Sequence, residues 1–312
     1  MIAEPTVEPN LAPWNSDPEF RAGYVAVVGR PNVGKSSLVN LFVGRKVSIV
    51  SPRPQTTRRR ILGVMNSEKS QAVFLDTPGI HRPKHRLGQY MLESAVSALT
   101  DADCVLAVVD ASCLPGQEDR HIAELLENEA KCDVILVMNK MDRLKPEHVV
   151  RNTEAYVALF KPAEWMMTNA LRGHNKEKLW KLIEPRLPLC PPLFPPDQIT
   201  DQPEQTHAAE LIREKALIHT YQEVPHSVAV MIEQWKEERE DLLHISATFI
   251  VERDAHKGIL IGHGGQMIKQ IGQEARLEME EWLGKKVFLE LWVKVKPKWR
   301  NHPALLNELE YR

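Results

Sequence analysis

The 312-residue chain lacks a long apolar run; CVLAVV (Cys104 to Val109) is among the longest. A membrane-spanning helix needs roughly 18 such residues, so an integral membrane segment is excluded. Charge of one sign is lacking too. Forty Lys and Arg stand against 42 Asp and Glu, a formal net charge of −2. No global cationic field marks the chain for nucleic acid, and any such surface must be local. Cysteine is scarce. Cys104, Cys113, Cys132 and Cys190 form neither a C-x-x-C pair nor zinc-ligand spacing. They read as free thiols of a reducing compartment, the cytoplasm. Residues 1–22 carry four prolines and the acidic Glu4, Glu8, Asp17 and Glu19. That pattern is neither a signal peptide nor an Arg-rich transit peptide, and a flexible N-terminal tail is expected.

What is present is an ordinary globular balance, 43% hydrophobic and 26% charged, at a length that predicts two domains. Residues 23–187 alternate apolar runs with helical patterns. Strands are expected at 24–28, 72–76, 104–110, 133–139 and 164–169, with an antiparallel edge strand near 61–65. Helices are expected at 36–43, 88–99, 117–129, 146–160 and 175–187. Continuous apolar strands between helices argue a mostly parallel sheet covered on both faces. Six prolines between Pro188 and Pro203 mark residues 188–204 as a semi-rigid linker. A second domain, 205–302, reads α-β-β-α-α-β. Its helix is at 205–220 and its strands at 226–233 and 242–252. A helical face follows through Ile268, Ile271, Ala275, Met279 and Trp282, and an alternating strand through Val287, Leu289, Leu291, Val293 and Val295. Residues 303–312 are left as a C-terminal tail.

Gly29-Arg30-Pro31-Asn32-Val33-Gly34-Lys35-Ser36, continuing into Ser37, fits G-x-x-x-x-G-K-[ST] between a strand and a helix, the context of a phosphate-binding loop. Gly29 and Gly34 let backbone N–H groups approach a phosphate, and the helix N-terminus adds partial positive charge. Lys35 would reach the β- and γ-phosphates and Ser36 would ligate Mg²⁺. Asn139-Lys140-Met141-Asp142 ends another strand, where open α/β sheets bind ligands. An Asp142 carboxylate can accept from guanine N1–H and the 2-amino group together, whereas adenine leaves it unpaired. Lys140 can lay its stem on the ring, and Asn139 can tie neighbouring loops. Asp76-Thr77-Pro78-Gly79, at a third strand end, can hold Mg²⁺ through water at Asp76 and sense the γ-phosphate through the Gly79 N–H. The competing reading of D-T-P-G, a simple turn, is disfavoured by the order of the three motifs.

These residues resemble the translation-factor-like GTPases and, with the rest of the chain, the Era family of ribosome-assembly GTPases. Pro54-Gln55-Thr56-Thr57-Arg58-Arg59-Arg60 resembles that family's first switch, which implies Thr57, ahead of Thr56, as the Mg²⁺-sensing threonine. Two positions depart from related patterns. The guanine-closing loop, normally Ser-Ala, is Thr168-Asn169-Ala170 here, with the Ala170 N–H expected at guanine O6. Ile80 stands where other GTPases place glutamine. Isoleucine cannot orient a water by hydrogen bonding, so slow intrinsic turnover is expected, resting on Mg²⁺, Lys35 and backbone N–H groups. Asn32 resembles an asparagine that, in some related GTPases, helps hold K⁺, which makes K⁺ a candidate activator.

Gly262-His263-Gly264-Gly265 is a G-x-x-G between two helices. KH modules clamp about four nucleotides of single-stranded backbone on such a loop, and the element order resembles a type II KH domain. His263 departs from the family's Lys or Asn and donates to phosphate more strongly when protonated. Lys257 and Lys269 flank the loop and are the favoured phosphate contacts. Arg276, Lys285, Lys286, Lys294, Lys296, Lys298 and Arg300 add a local basic supply. Trp292 and Trp299 are candidates for base stacking, against a place in the core.

The expected fold is therefore an α/β P-loop GTPase domain, a mostly parallel sheet with helices on both faces, followed by an α+β type II KH domain. The resemblance implies Mg²⁺-dependent hydrolysis of GTP to GDP and binding near the 3′ end of 16S-type ribosomal RNA during small-subunit assembly. It also implies a monomer and peripheral contact at the inner face of the membrane. The rival is a signalling or membrane-recruited GTPase whose second domain binds protein.

Overall fold

The computed structural model describes residues 17–221 and 223–311. The first domain is a six-stranded sheet in the order β2-β3-β1-β4-β5-β6. Its strands are β1 (Arg21–Val28), β2 (Ile61–Asn66), β3 (Ser70–Asp76), β4 (Cys104–Asp110), β5 (Val134–Asn139) and β6 (Glu164–Met167). Only β2 runs antiparallel, against β3; the other neighbours pair in parallel. The helices are α1 (Lys35–Val43), α2 (Arg86–Thr100), α3 (Gln117–Glu129), α4 (Val149–Phe160) and α5 (Lys176–Ile183).

Side chains alternate across a strand, and both faces of this sheet are used. Val25 and Val27 face Leu38, Phe42, Leu179 and Ile183 of α1 and α5. Ala26 and Val28 face Ala95, Leu99, Ile122 and Tyr156 of α2, α3 and α4. This double burial explains why the strands read as unbroken apolar runs. Every parallel strand then delivers its C-terminal residue to the same edge, which is where Gly29, Asp76, Asp110 and Asn139 meet.

The second domain has α6 (Glu204–His219), a short α7 (Val224–Ser227), β7 (Ala229–Arg239), β8 (Leu242–Val251), α8 (Asp254–Ile261), α9 (Gln266–Leu283) and β9 (Lys286–Val295). The sheet order is β7-β8-β9, antiparallel then parallel. Leu211, Leu217, Leu243, Phe249, Leu260, Ile271 and Met279 form its core. The strand expected at 226–233 begins only at Ala229 and runs on to Arg239. Pro225 sits in the first turn of α7, where its missing N–H costs nothing.

The linker is held down rather than free. The Val64 N–H donates to the Ile199 carbonyl at 2.9 Å, and Gln71 Oε1 accepts from the Leu193 and Phe194 N–H groups. The linker thereby covers β2, the edge strand that would otherwise expose unpaired backbone.

Two tails need correction. Residues 1–16 lie outside the described residues, but Arg21 and the fully buried Ala22 already belong to β1. At the other end Pro303–Glu308 form a helix, α10. Leu305, Leu306, Leu309 and Tyr311 pack with Leu87 and Met91 of α2 and with Ala229, Ile250 and Trp299. The segment is thus a hydrophobic joint between the two domains. Trp299 belongs to the same core: it is 1% exposed and its indole N–H donates to the Ser227 carbonyl at 2.8 Å. Base stacking by Trp299 is excluded, whereas Trp292 is 59% exposed.

Candidate functional site

The loop after β1 turns through three residues with positive φ: Gly29 at 156°, Asn32 at 62° and Gly34 at 102°. A β-carbon on Gly29 would stand 2.3 Å from the Val108 carbonyl oxygen, so only glycine fits against β4. Pro31 packs on Gly79, where a β-carbon would meet the Pro31 nitrogen at 2.7 Å. Arg30 reaches sideways to Asp119, with Nε 3.4 Å from its carboxylate. Lys35 is 6% exposed, and its Nζ donates to the Gly29 and Arg30 carbonyls at 3.1 Å each. Burial pushes this amine down to about 8. A polyphosphate in the loop would add counter-charge to that of Asp76.

Ser36, Thr57 and Asp76 converge although 40 residues separate the outer pair. Ser36 Oγ donates to Asp76 Oδ2 at 2.7 Å and lies 2.9 Å from Thr57 Oγ1. Thr57 Oγ1 is 3.5 Å from the same carboxylate oxygen. Thr56, the second choice, is taken: its hydroxyl bonds the Arg53 carbonyl at 2.8 Å and Ser51 Oγ at 2.9 Å. Among the described residues Asp76 Oδ1 is buried without a hydrogen bond, and burial raises the Asp76 carboxyl above its usual range, with Lys35 and the Ser36, Ser48 and Thr57 hydroxyls opposing. Two hydroxyls and one carboxylate are a hard-oxygen set suited to Mg²⁺, and the orphaned Oδ1 is a free acceptor for water on such an ion. A small cavity of about 60 Å³ lined by Gly34, Lys35, Ser36, Ser37, Thr57 and Gly79 adjoins them. Thr77 Oγ1 is spent on the Val27 carbonyl at 2.8 Å. Pro78 is buried. Ile80 is 1% exposed, its side chain in the core and its N–H on the Gly29 carbonyl at 3.2 Å.

At the base-recognition end, Asn139 Nδ2 donates to the Val33 carbonyl at 2.8 Å, and Oδ1 accepts from the Ala170 N–H at 2.9 Å. It ties the phosphate loop to residues 168–170, as its place in the motif predicts. The same bond involves the Ala170 N–H expected at guanine O6. Its amide is occupied by Asn139, so guanine O6 could reach it only as a shared acceptor. Asn169 is 3% exposed, with Oδ1 capping the Arg172 N–H at 3.1 Å. Lys140, at φ 60°, places Nζ 2.7 Å from the Asn32 carbonyl and 2.9 Å from Asp110 Oδ2. Asp110, which sequence reasoning missed, was marked only by standing at the end of a strand. Asp142 is exposed, and among the described residues its carboxylate has no hydrogen-bond or ion-pair partner.

In the second domain Gly262, Gly264 and Gly265 all have positive φ, at 71°, 57° and 79°. A β-carbon on Gly262 would lie 2.6 Å from that of Met267, while Gly264 and Gly265 open to free space. His263 and Lys269 are exposed and Lys257 is half-buried; among the described residues neither lysine is ion-paired. Lys285, Lys294 and Arg300, by contrast, pair with Glu237, Glu233 and Glu252. A groove of about 420 Å³ runs beside the loop between α9 and β9, lined by Ile268, Lys269, Gly272, Arg276, Phe288 and Leu291. Phe288, 54% exposed, is an aromatic that sequence reasoning did not single out. Its signal was an apolar residue on the polar side of an alternating strand.

Fold and site together define a P-loop GTPase joined to a KH domain. The family model of a 50S ribosome-binding GTPase matches residues 24–140, and the KH-domain model matches 223–300. The chain is 46% identical to the GTPase Era of Heliobacterium modesticaldum over 293 residues, covering 94% of this chain and 98% of that one. It therefore belongs to the Era family of GTPases. A crystal structure of Era with MgGDPNP and nucleotides 1506–1542 of 16S ribosomal RNA matches with TM-score 0.89 at 43% identity, covering 94% of this chain and 99% of that chain. A crystal structure of a variant of Aquifex aeolicus Era bound to GDP·AlF4⁻ matches with TM-score 0.88, also at 43% identity and with the same coverage.

Proposed function

We propose that this GTPase is a nucleotide-switched factor of small-subunit assembly that binds 16S-type ribosomal RNA near its 3′ end. The observation that carries the reading is the pairing, in one chain, of the Ser36–Thr57–Asp76 oxygen cluster with the three positive-φ glycines of the GHGG loop. In this reading Lys35 meets the β- and γ-phosphates, and Ser36 and Thr57 hold Mg²⁺ with Asp76 acting through water. Bound Mg²⁺ neutralises charge on the phosphate oxygens. The Gly79 N–H senses the γ-phosphate and Asp142 reads guanine. Because Ile80 is turned into the core, no side chain at that position orients the attacking water, and intrinsic turnover is slow.

On the RNA side, Gly262–Gly265 admit the sugar-phosphate backbone, Lys257 and Lys269 meet phosphates, and His263 adds a donor. K⁺ is a candidate activator. Asn32 Nδ2 donates to the Pro52 carbonyl at 3.3 Å, which fixes the Asn32 side chain at the rim of the phosphate loop. Equal rates in KCl and NaCl would reject this role. The reading places the protein as a monomer on the small ribosomal subunit in the cytoplasm. Peripheral contact with the inner membrane face follows from the family resemblance; among the described residues no helix is long and apolar enough to cross a membrane.

The test combines GTP turnover and binding of a 16S 3′-end oligonucleotide on the same samples. Lys35→Ala should abolish turnover and Gly264→Asp should abolish RNA binding, each leaving the other activity measurable. RNA affinity indifferent to Gly264→Asp would favour a protein-binding second domain instead.

A further inference from the structure

The Mg²⁺-sensing Thr57 sits in a stretch, Val50 to Arg60, without helix or strand. Such a segment keeps a side chain in place only if its backbone is tied down. The ties come largely from the other domain. Glu214 Oε1 of α6 accepts from the Val50 N–H at 2.7 Å. The Arg213 guanidinium, fully buried on the same helix and paired with Glu210, donates to the Thr56 carbonyl. On the far side of Thr57, Arg58 is 2% exposed and donates to the carbonyls of Val228 at 2.7 Å, His226 at 3.1 Å and Pro225 at 3.3 Å. The rings of Trp299 and Tyr311 lie 5.7 and 5.9 Å from its guanidinium carbon. Its acceptors are the carbonyls left open at the end of α7, a place where arginine is favoured.

Both chain neighbours of Thr57 are therefore anchored in the RNA-side domain. A guanidinium buried against carbonyls and aromatic faces, with no carboxylate bonded to it among the described residues, is costly to place. A loop needing only a filled space would take an apolar side chain at lower cost.

We propose that Arg58 and Arg213 are positioning residues for GTP hydrolysis: they make the RNA-side domain hold Thr57 Oγ1 against the Ser36–Asp76 cation site. This rests on the reading of that cluster as the Mg²⁺ site. It adds that the site is complete only while the second domain is docked, so whatever moves that domain changes turnover. By linkage, nucleotide and Mg²⁺ bias the docking to the same degree.

The experiment uses the full chain in three forms besides wild type: Arg58→Lys, Arg58→Met and the double variant Glu210→Met with Arg213→Met, which removes the buried pair without stranding a charge. Three quantities are read: kcat for GTP, the Mg²⁺ concentration at half-maximal turnover, and GDP affinity in EDTA. For Arg58→Met and the double variant, a fall in kcat of about tenfold and a rise in Mg²⁺ requirement of about fivefold are expected, with GDP affinity within about twofold. Arg58→Lys should lie between, because an ammonium keeps the charge but not the fork that reaches three carbonyls. Wild-type kcat and Mg²⁺ dependence in the folded double variant would overturn the inference. So would a loss of GDP affinity in step with kcat, which marks general damage. If Arg58→Met does not fold, the double variant and Arg58→Lys decide. Wild-type turnover that ignored Mg²⁺ altogether would instead overturn the reading of the cluster, so the two failures are distinguishable.

Discussion

The side-chain amide of Asn139 occupies the space a β-carbon on Gly34 would need; the two would stand 2.2 Å apart. Gly34 also holds φ at 102°, a conformation that side chains strain. The residue that braces the base-recognition loop is thus packed against the loop that wraps the phosphates. Gly34→Ala must displace Asn139, and with it both the Val33 and the Ala170 bonds. A loss of GDP affinity of about 100-fold or more is expected, equivalent to roughly 2.7 kcal/mol, read by titration with a fluorescent guanine nucleotide. Retained affinity would mean that Asn139 is not the brace.

Asp142 is free to meet a base. Asn in its place keeps an acceptor for N1–H but presents an N–H to the 2-position, where guanine also donates. Xanthine has an oxygen there. Asp142→Asn should therefore weaken GTP at least about 100-fold and restore binding to xanthosine triphosphate. Competition between the two nucleotides checks it; an unchanged order of preference would remove Asp142 from base recognition.

The three nucleotide motifs were legible because each is local: a few residues at fixed spacing, each at the end of a strand that the apolar runs already marked. Thr57 over Thr56 was not settled by spacing alone. In the structure the Thr56 hydroxyl is used within its own turn, which favours Thr57. Contacts between distant segments were invisible. Arg58 stands in the basic run of the first switch and Arg213 in an expected helix, yet both are buried by a partner far along the chain. Residues 303–312 were too short for a helical period to show, so Leu305, Leu306 and Tyr311 read as tail rather than joint. For Trp299 the sequence left base stacking and a core position open, and the core it enters is built partly from that helix.

The joint leads to a stability expectation. Leu306 is fully buried between the domains. Leu306→Ala should cost about 2–5 kcal/mol, seen as a lowered midpoint in chemical denaturation. Deletion of residues 303–312 should cost more, because it uncovers Trp299 and leaves Arg58 without the Tyr311 ring. An unchanged midpoint would return the segment to the status of a tail.

Acid should act through Glu210. Burial raises its carboxyl, but the Arg213 charge and hydrogen bonds outweigh this and hold it below the ordinary glutamate value of 4.5. A carboxyl depressed in the folded state binds fewer protons there than when unfolded. Its stabilisation is complete above about pH 4.5 and is lost as pH falls through the lower folded value. Glu210→Gln should flatten that acid limb and, by stranding Arg213, cost about 3 kcal/mol at pH 7. Thermal melts from pH 3 to pH 7 on both forms provide the check; parallel curves would show that Glu210 does not titrate with unfolding.

The central claim is that the bound nucleotide sets the grip on RNA. The dissociation constant of one 16S 3′-end oligonucleotide, measured on one preparation with GDP and then with a non-hydrolysable GTP analogue, tests it most directly. A GTP-bound arrangement that exposes the GHGG groove requires tighter binding with the analogue, by about tenfold. Equal constants in the two states would contradict it.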